Sequence, residues 1–293
     1  MPLPVILDTD IGGDIDDTWA LAMLLRSPEL DLRLVTTCTG DTAYRARIVA
    51  RLLEIAGRTD VPIGLGPQTY DPPERRRQLP WVEGCDLEDY PGAVHEDGVQ
   101  ALIDAAMSSP EPLTILAIGP LTSLGAALER EPRITQRCRI IGMQGSVHLG
   151  YNGSREIAAE YNVRADVAAA QAVFTAPWEM TLTPLDTCGL VVLRGEEYRQ
   201  VTESTDPLAQ AVIENYRIWA GREDLQESSV LFDTVAVYLA FSEELLVVEP
   251  RRLRVDEQGR TVVDPAGKEV RCALAWKDLV AFERLLTGRL TGC

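Results

Sequence analysis

Lysine is almost absent from this chain. Lys268 and Lys277 are the only two among 28 basic residues, so arginine supplies nearly all the positive charge. Histidine is equally scarce, with His95 and His148 alone. Chemistry that needs a lysine on a phosphate therefore has two candidates, both near the end of the chain. Chemistry that needs an imidazole acid has two as well. No apolar run approaches the roughly 18 residues of a membrane span, so no membrane partner is expected. The start lacks a basic stretch followed by an apolar one and carries Asp8 and Asp10 early, unlike a secretory leader. An excess of positive charge is also missing. The net charge of −17 argues against a nucleic-acid backbone as partner and fits a protein that binds a cation.

The six cysteines (Cys38, Cys85, Cys138, Cys188, Cys272 and Cys293) are scattered, and no pair has metal-ligand or redox spacing. A reduced, cytoplasmic compartment is the expectation. Cys38 abuts Thr39-Gly40-Asp41, which leaves it either near a site or in the core as a small apolar residue.

What the chain does contain is one dense acidic loop. In Val5-Ile6-Leu7-Asp8-Thr9-Asp10-Ile11-Gly12-Gly13-Asp14-Ile15-Asp16-Asp17, five carboxylates fall within ten residues. A short apolar run precedes them and reads as a buried strand. The helical sequence Thr18-Trp19-Ala20-Leu21-Ala22-Met23 follows. Like charges this close repel, and a hard cation relieves them, since calcium and magnesium prefer oxygen ligands. The plainer alternative is a solvated turn in which Asp16 or Asp17 caps the helix, but a cap needs one acid. An EF-hand is excluded. Counted from Asp8, the twelfth position holds Trp19 where that loop requires Glu. Further ligands must come from elsewhere, and open α/β sheets gather theirs at the carboxyl ends of parallel strands.

The rest of the chain supports that architecture. Strand-like runs at 5–7, 32–36, 61–65, 113–117, 140–143 and 180–182 alternate with helical stretches from 17, at 44–56, 98–107, 121–128 and 166–174. This βα rhythm predicts one α/β domain over 1–293, with a mostly parallel open sheet and helices on both faces. Residues 67–96 are too long and polar for an ordinary connection and predict a lid or binding loop. Residues 245–270 predict short strands with turns at Gln258-Gly259 and Pro265-Ala266-Gly267, before a last helix at 276–286.

Four more segments lie where strands end: Thr37-Cys38-Thr39-Gly40-Asp41-Thr42, Ala117-Ile118-Gly119-Pro120-Leu121-Thr122, Ala159-Glu160-Tyr161-Asn162 and Leu231-Phe232-Asp233-Thr234. Asp233 reads either as a helix cap or as a ligand. Together these acids and amides suit a metal plus a polyhydroxy ligand such as a sugar.

In order and rough spacing, the aspartate loop and these segments resemble the calcium-dependent inosine/uridine-preferring nucleoside hydrolase family, in a variant with a longer aspartate loop. The similarity covers roughly residues 3–245. It implies a Rossmann-like nucleoside hydrolase fold and hydrolysis of the N-glycosidic bond of ribonucleosides to free base and ribose. It implies calcium as cofactor, and a homodimer or homotetramer. Asp10 would be a calcium ligand and the general base on a calcium-bound water. Asp17, Asp233 and the backbone carbonyl of Ile118 would complete the metal site. Asp16, Asp41, Glu160, Asn162 and Asn152 would contact substrate. Tyr216 and Trp219, on the helical stretch 213–220, or Trp81, would meet the base, although core packing explains such aromatics equally well. Asp14 has no counterpart in the shorter loop.

Three departures stand out. Asp41 replaces a usual Asn. Phe232 occupies the place before Asp233 where the inosine/uridine enzymes often carry a proton-donating His. The nearest histidine after the third strand, His95, falls at the start of the next helix, and neither it nor His148 is well placed. Two other readings stand beside the hydrolase. A haloacid-dehalogenase-type phosphatase would use Asp8 as nucleophile and Asp10 as acid, but has only the late lysines to offer. A non-catalytic calcium or ribose binder would have lost its acid.

Overall fold

The computed structural model describes residues 1–292; Cys293 lies outside the described residues. Its centre is the strand β1 (Leu3–Thr9), which pairs in parallel with β2 (Leu30–Thr37) on one side and β5 (Leu113–Ala117) on the other. Successive strand side chains point to opposite faces. Val5 and Leu7 enter one apolar cluster, with Trp19, Ile48 and Leu208, while Ile6 enters a second, with Leu102, Leu124 and Val173. A strand buried on both faces needs an unbroken apolar run, which Val5-Ile6-Leu7 supplies.

Helices supply the two covers. The first cluster is closed by α1 (Asp16–Leu25), α2 (Thr42–Ile55), α9 (Pro207–Ala220), α10 (Thr234–Leu239) and α11 (Leu279–Thr291). The second is closed by α3 (Gly98–Ser108), α4 (Thr122–Arg130) and α6 (Val167–Thr175). The short helices α5 (Tyr161–Ala165), α7 (Leu185–Cys188) and α8 (Gly195–Thr202) complete the set.

The remaining strands are β3 (Ile63–Leu65), β4 (Val94–His95), β6 (Cys138–Gly142), β7 (Met180–Leu182), β8 (Leu246–Val255), β9 (Thr261–Val263) and β10 (Lys268–Trp276). They form one ten-stranded sheet in the order β4-β3-β2-β1-β5-β6-β7-β10-β8-β9. Pairings are parallel from β4 through β7 to β10 and antiparallel beyond, so the sheet is mostly parallel, as expected. The chain leaves β1 for β2 on one side and later returns to β5 on the other. That reversal opens a crevice at the carboxyl ends of β1 and β5.

Two boundaries differ from the sequence expectation. The last helix begins at Leu279 and not at 276, because β10 keeps its pairing with β8 through Trp276 opposite Leu246. Asp278 then caps the helix by accepting from the Ala281 N–H at 2.9 Å. His95 does not begin a helix. It pairs with Gly64 in β4, and α3 starts at Gly98 under the cap of Asp97. Cys38, Cys85, Cys138, Cys188 and Cys272 are free. Among the described residues no helix is long and apolar enough to cross a membrane.

The start of α3 lies hard against β3. A Cβ on Gly98 would fall 2.6 Å from the Gly64 carbonyl carbon. Gly98→Ala should therefore force strand and helix apart at a cost of about 1–3 kcal/mol, the usual penalty of overpacking. Denaturant titration checks this, and an unchanged midpoint would show that the two elements can separate freely.

Candidate active site

The crevice at the carboxyl edge is a cleft of about 360 Å³. Its floor is acidic. Asp10 comes from the turn after β1, Asp16 and Asp17 from the first turn of α1, and Asp233 from the residue before α10. All four are buried, with 3–8 % of their surface exposed. Neither helix uses these acids as a cap, since the side chains of Asp16, Asp17 and Asp233 make no capping hydrogen bond. The helix-cap alternative therefore does not account for their burial.

Oxygens of Asp16, Asp17 and Asp233 lie within 4.8 Å of one another, a grouping that could hold a metal ion. Asp10 faces the same cleft but stands outside that group. Burial first, and then repulsion from neighbouring aspartates (Asp14 for Asp16, Asp10 for Asp17, Asp16 for Asp233), pushes the carboxyls of Asp16, Asp17 and Asp233 well above the usual range. Asp10 is raised as well, mainly by burial, against the opposing pull of Arg45. Carboxylates disposed in this way hold protons unless positive charge enters among them.

The wall beside Asp10 comes from the ends of β5 and β6. Gly119 makes the approach possible, because a Cβ there would meet the Asp10 backbone nitrogen at 2.8 Å and the Cys38 thiol at 2.7 Å. Cys38 itself is fully buried in the core beneath Asp10, and burial pushes its thiol up. The Ile118 carbonyl accepts from the Asn162 amide at 2.8 Å, and that amide also donates to the Met143 carbonyl at 3.0 Å. A carbonyl has a second lone pair, so Ile118 keeps acceptor capacity toward the cleft. Glu160 caps α5, accepting from the Asn162 N–H at 2.7 Å and the Gly145 N–H at 2.9 Å. Burial nonetheless raises its carboxyl to about 7.

Asp8 lies below this floor, fully buried, with one oxygen accepting from the Thr36 hydroxyl at 2.5 Å and the other without a partner. Burial raises it to about 7. It does not line the cleft. Lys268, on β10, donates to the Ala176 carbonyl at the end of α6, and neither it nor Lys277 lines the cleft. A phosphatase using Asp8 as nucleophile and a lysine on the phosphate thus has neither group in place.

Several supporting residues were not singled out from sequence. Arg45 is 4 % exposed and donates to the Thr39 carbonyl and the Ile11 carbonyl, both at 2.8 Å, with a nitrogen 3.9 Å from Asp10. Its signal was present. Arg45 stands on the same helical stripe as Ile48, Val49 and Leu52, where a charge is out of place unless it is paired. Gln78, in the long segment 67–96, is fully buried. Its amide donates to the Asp14 carbonyl at 2.7 Å and accepts from Asn215 at 2.7 Å and from Thr18 at 3.1 Å. That clamp brings Glu74, Arg75 and Arg77 to the rim of the cleft. Tyr151, Tyr161 and Asp14 also line it.

Of the residues expected from sequence, Asp10, Asp16, Asp17, Ile118, Glu160, Asn162, Trp219 and Asp233 converge on the cleft. Asp41, Asn152 and Tyr216 do not line it. Asp41 caps α2, accepting from the Tyr44 N–H at 2.9 Å, and pairs with Arg76 at 3.1 Å. Asn152 occupies a left-handed turn position (φ 57°), exposed, and it is the adjacent Tyr151 that reaches the cleft. Tyr216 is buried behind Trp219, with its hydroxyl donating to the Glu227 carbonyl at 3.0 Å. Trp81 is also buried in the core and donates to Glu214 at 2.9 Å. The two aromatics share a face of α9, three residues apart and stacked, and differ in position along it: Tyr216 packs in the core with Val212 and Ile213, while Trp219, in the last turn, reaches the aspartate loop and donates to the Gly13 carbonyl at 3.1 Å. Neither histidine lines the cleft; His95 is in β4, and His148 is exposed.

Arg45→Met should leave two buried carbonyls unpaired and remove the counter-charge from Asp10. A loss of roughly 3–5 kcal/mol, typical of breaking a buried pair from one side, is expected in metal-free denaturant titration. Arg45→Lys should recover only part of it, since an ammonium cannot reproduce the guanidinium fork. A near-neutral Arg45→Met would mean that the loop is held by its other contacts.

Known proteins share both the sequence pattern and this geometry. Residues 5–281 match the family model described as inosine-uridine preferring nucleoside hydrolase. A non-specific ribonucleoside hydrolase of Klebsiella pneumoniae is 32% identical over 285 residues, covering 92% of this chain and 90% of its own. A probable uridine nucleosidase of Arabidopsis thaliana is 31% identical over 216 residues, covering 70% of this chain and 66% of its own. Among solved structures, a plant nucleoside hydrolase superposes with a TM-score of 0.84 at 25% identity, covering 100% of both chains. A purine-preferring ribonucleoside hydrolase from Gardnerella vaginalis shares the fold, with a TM-score of 0.78 at 24% identity over 99% of this chain and 98% of its own. With a family model matched over nearly its whole length, this chain belongs to the inosine-uridine preferring nucleoside hydrolases.

Proposed function

We propose that the chain hydrolyses the N-glycosidic bond of ribonucleosides to free base and ribose, with calcium as its metal. The observation that carries this reading is the polarity of the cleft. Its floor offers Asp10, Asp16, Asp17 and Asp233 to a cation and hydroxyl groups, while Tyr151 and Phe232 offer ring surface to a planar base and Trp219 carries Arg77 beside them. The names of the relatives point the same way.

The donor set fits calcium. It consists of carboxylates and one carbonyl, with no nitrogen or sulfur, and hard cations prefer such oxygens. Asp10, Asp17, Asp233 and the Ile118 carbonyl would hold the ion. Bound there, calcium would supply positive charge that offsets the buried acids and would make a nearby water more acidic. Asp10 takes the proton of the attacking water as its oxygen closes on C1′. Asp16, Glu160 and Asn162 orient the ribose. The Asn162 nitrogen is committed to two carbonyls, which leaves its oxygen to accept from a sugar hydroxyl. As the C1′–N bond opens, positive charge grows on the sugar beside fixed carboxylates that stabilise it.

A reducing-sugar assay over a ribonucleoside panel, with calcium or with chelator, tests the reading. Ribose release should require the metal. Asp10→Ala and Asp17→Ala should each lower it by at least about 10²-fold, the scale of losing a positioned base, without loss of fold. Full activity of Asp10→Ala in excess chelator would refute the mechanism. Metal binding without ribose release from any nucleoside would leave a binding protein.

The buried acids also fix a pH dependence. Their folded-state affinities for protons are raised above those of the unfolded chain, so the folded form binds more protons. Without metal, stability should therefore fall as pH rises from about 4, through about 7 for Asp8 and Glu160 and further for the Asp16, Asp17 and Asp233 group. Calcium should restore stability at pH 8 and do little at pH 5, as read by thermal melts. A chelated protein more stable at pH 8 than at pH 5 would contradict this.

A further inference from the structure

Departure of a base needs more than a sugar-binding floor. When the C1′–N bond breaks, its electron pair goes to the base nitrogen, and that charge must be neutralised or stabilised. Neither His95 nor His148 lines the cleft, and Phe232 has no proton to give. Tyr151 and Tyr161, the two phenols that line the cleft, are both pushed up by burial and are poor donors of a proton at neutral pH. Among the described residues, the basic side chains that line the cleft are Arg75 and Arg77, both from the segment 73–77.

Its three arginines have different fates. Arg76 is committed to Asp71 at 2.9 Å and Asp41 at 3.1 Å, outside the cleft. Arg75 leans toward the sugar side, with a nitrogen donating to the Tyr161 hydroxyl at 3.5 Å. Arg77 lines the cleft with its guanidinium carbon 3.9 Å above the Trp219 ring. The indole is itself fixed. Its N–H donates to the Gly13 carbonyl of the aspartate loop at 3.1 Å, and Tyr216 stacks against it at 5.9 Å. The next residue in the chain is the buried clamp Gln78, so the backbone that carries Arg77 is anchored to the same loop. What Trp219 presents on this side is therefore a covered face, with a guanidinium lying on it.

We infer that Arg77, seated on Trp219, is the residue that stabilises the departing base, which leaves as an anion. The inference rests on the hydrolase reading above. Arginine stays protonated and offers only N–H donors, so it acts by charge-assisted hydrogen bonds to ring nitrogen or carbonyl oxygen and not by giving up a proton. The balance is complete without a histidine. Water oxygen bonds to C1′ and its proton goes to Asp10; the C1′–N pair leaves on the base. The base anion then takes a proton from solvent, and Asp10 returns its own. Donors aimed at developing negative charge are worth about 10²–10³ in rate when removed.

The test compares substrates that differ only in how much help the leaving group needs. Wild type, Arg77→Met and Arg77→Lys are assayed with calcium on uridine, inosine and p-nitrophenyl riboside, whose nitrophenolate departs unaided. Arg77→Met should lower kcat/KM on the two nucleosides about 10²-fold more than on the nitrophenyl riboside, and Arg77→Lys should recover part of that gap. Across substituted phenyl ribosides, the dependence of rate on leaving-group pKa should steepen in Arg77→Met. An equal loss on all three substrates, or no loss on any, overturns the inference and leaves the hydrolase reading intact. Should Arg77→Met fail to fold by circular dichroism, the same ratio is read in Arg77→Lys, where an absent gap overturns it. Wild-type protein inert on every riboside, nitrophenyl included, would instead overturn the hydrolase reading and this inference with it.

Discussion

Mutual repulsion among buried carboxylates is the constraint on which this structure turns. Asp10, Asp16, Asp17 and Asp233 are drawn from two distant parts of the chain and packed at the carboxyl edge of the sheet with almost no exposure. Desolvation and like charge both work against that arrangement. The fold answers with a single buried arginine, Arg45, whose remaining donors hold the backbone of the aspartate loop and of the turn after β2. One guanidinium cannot balance so many acids. The residual demand for positive charge is what suits the grouping of Asp16, Asp17 and Asp233 to a metal ion.

The scaffold meets this demand with rigid parts. The acids sit at the ends of β1 and at the starts of α1 and α10, whose apolar faces are locked into one core. Glu160 accepts from backbone N–H groups with both carboxylate oxygens, and the Asn162 amide nitrogen is held by two carbonyls, so both side chains are fixed in place at the start of α5. The rim at Glu74, Arg75 and Arg77 is built from a long connection, and there Gln78 supplies the anchor that secondary structure does not. The cleft thus has an acidic floor fixed by the core and a rim in which the long segment carries Arg75 and Arg77 and α9 carries Trp219.

Much of this was legible in the chain itself. Val5-Ile6-Leu7 reads as a buried strand, and four of the five acids near it, Asp10, Asp14, Asp16 and Asp17, line the cleft, while Asp8 stays within the strand. The parallel sheet followed from the alternation of strands and helices, and the turns at Gln258-Gly259 and Pro265-Ala266-Gly267 separate β8, β9 and β10 as expected. Asp41, Asn152 and Tyr216 were less legible, because each has a side chain that serves a local need as readily as a ligand. Asp41 caps a helix, Asn152 tolerates a left-handed turn and Tyr216 fills core.

The sequence by itself determined the acidic strand-turn-helix, the architecture that such a motif requires and the absence of a well-placed histidine. These depend on local order: hydrophobic period, charge density and residue identity are written along the chain. Only the tertiary structure decided that Arg45 balances Asp10, that Asp8 is sealed beneath the cleft, and that Arg77 lies over Trp219 while Trp81 and Tyr216 are buried. Those facts join residues tens to hundreds of positions apart. Which of several arginines or aromatics reaches the site depends on how the long segment 67–96 docks against α1, α2 and α9, and that docking is set by packing and by the hydrogen bonds of Gln78, which no spacing in the chain encodes.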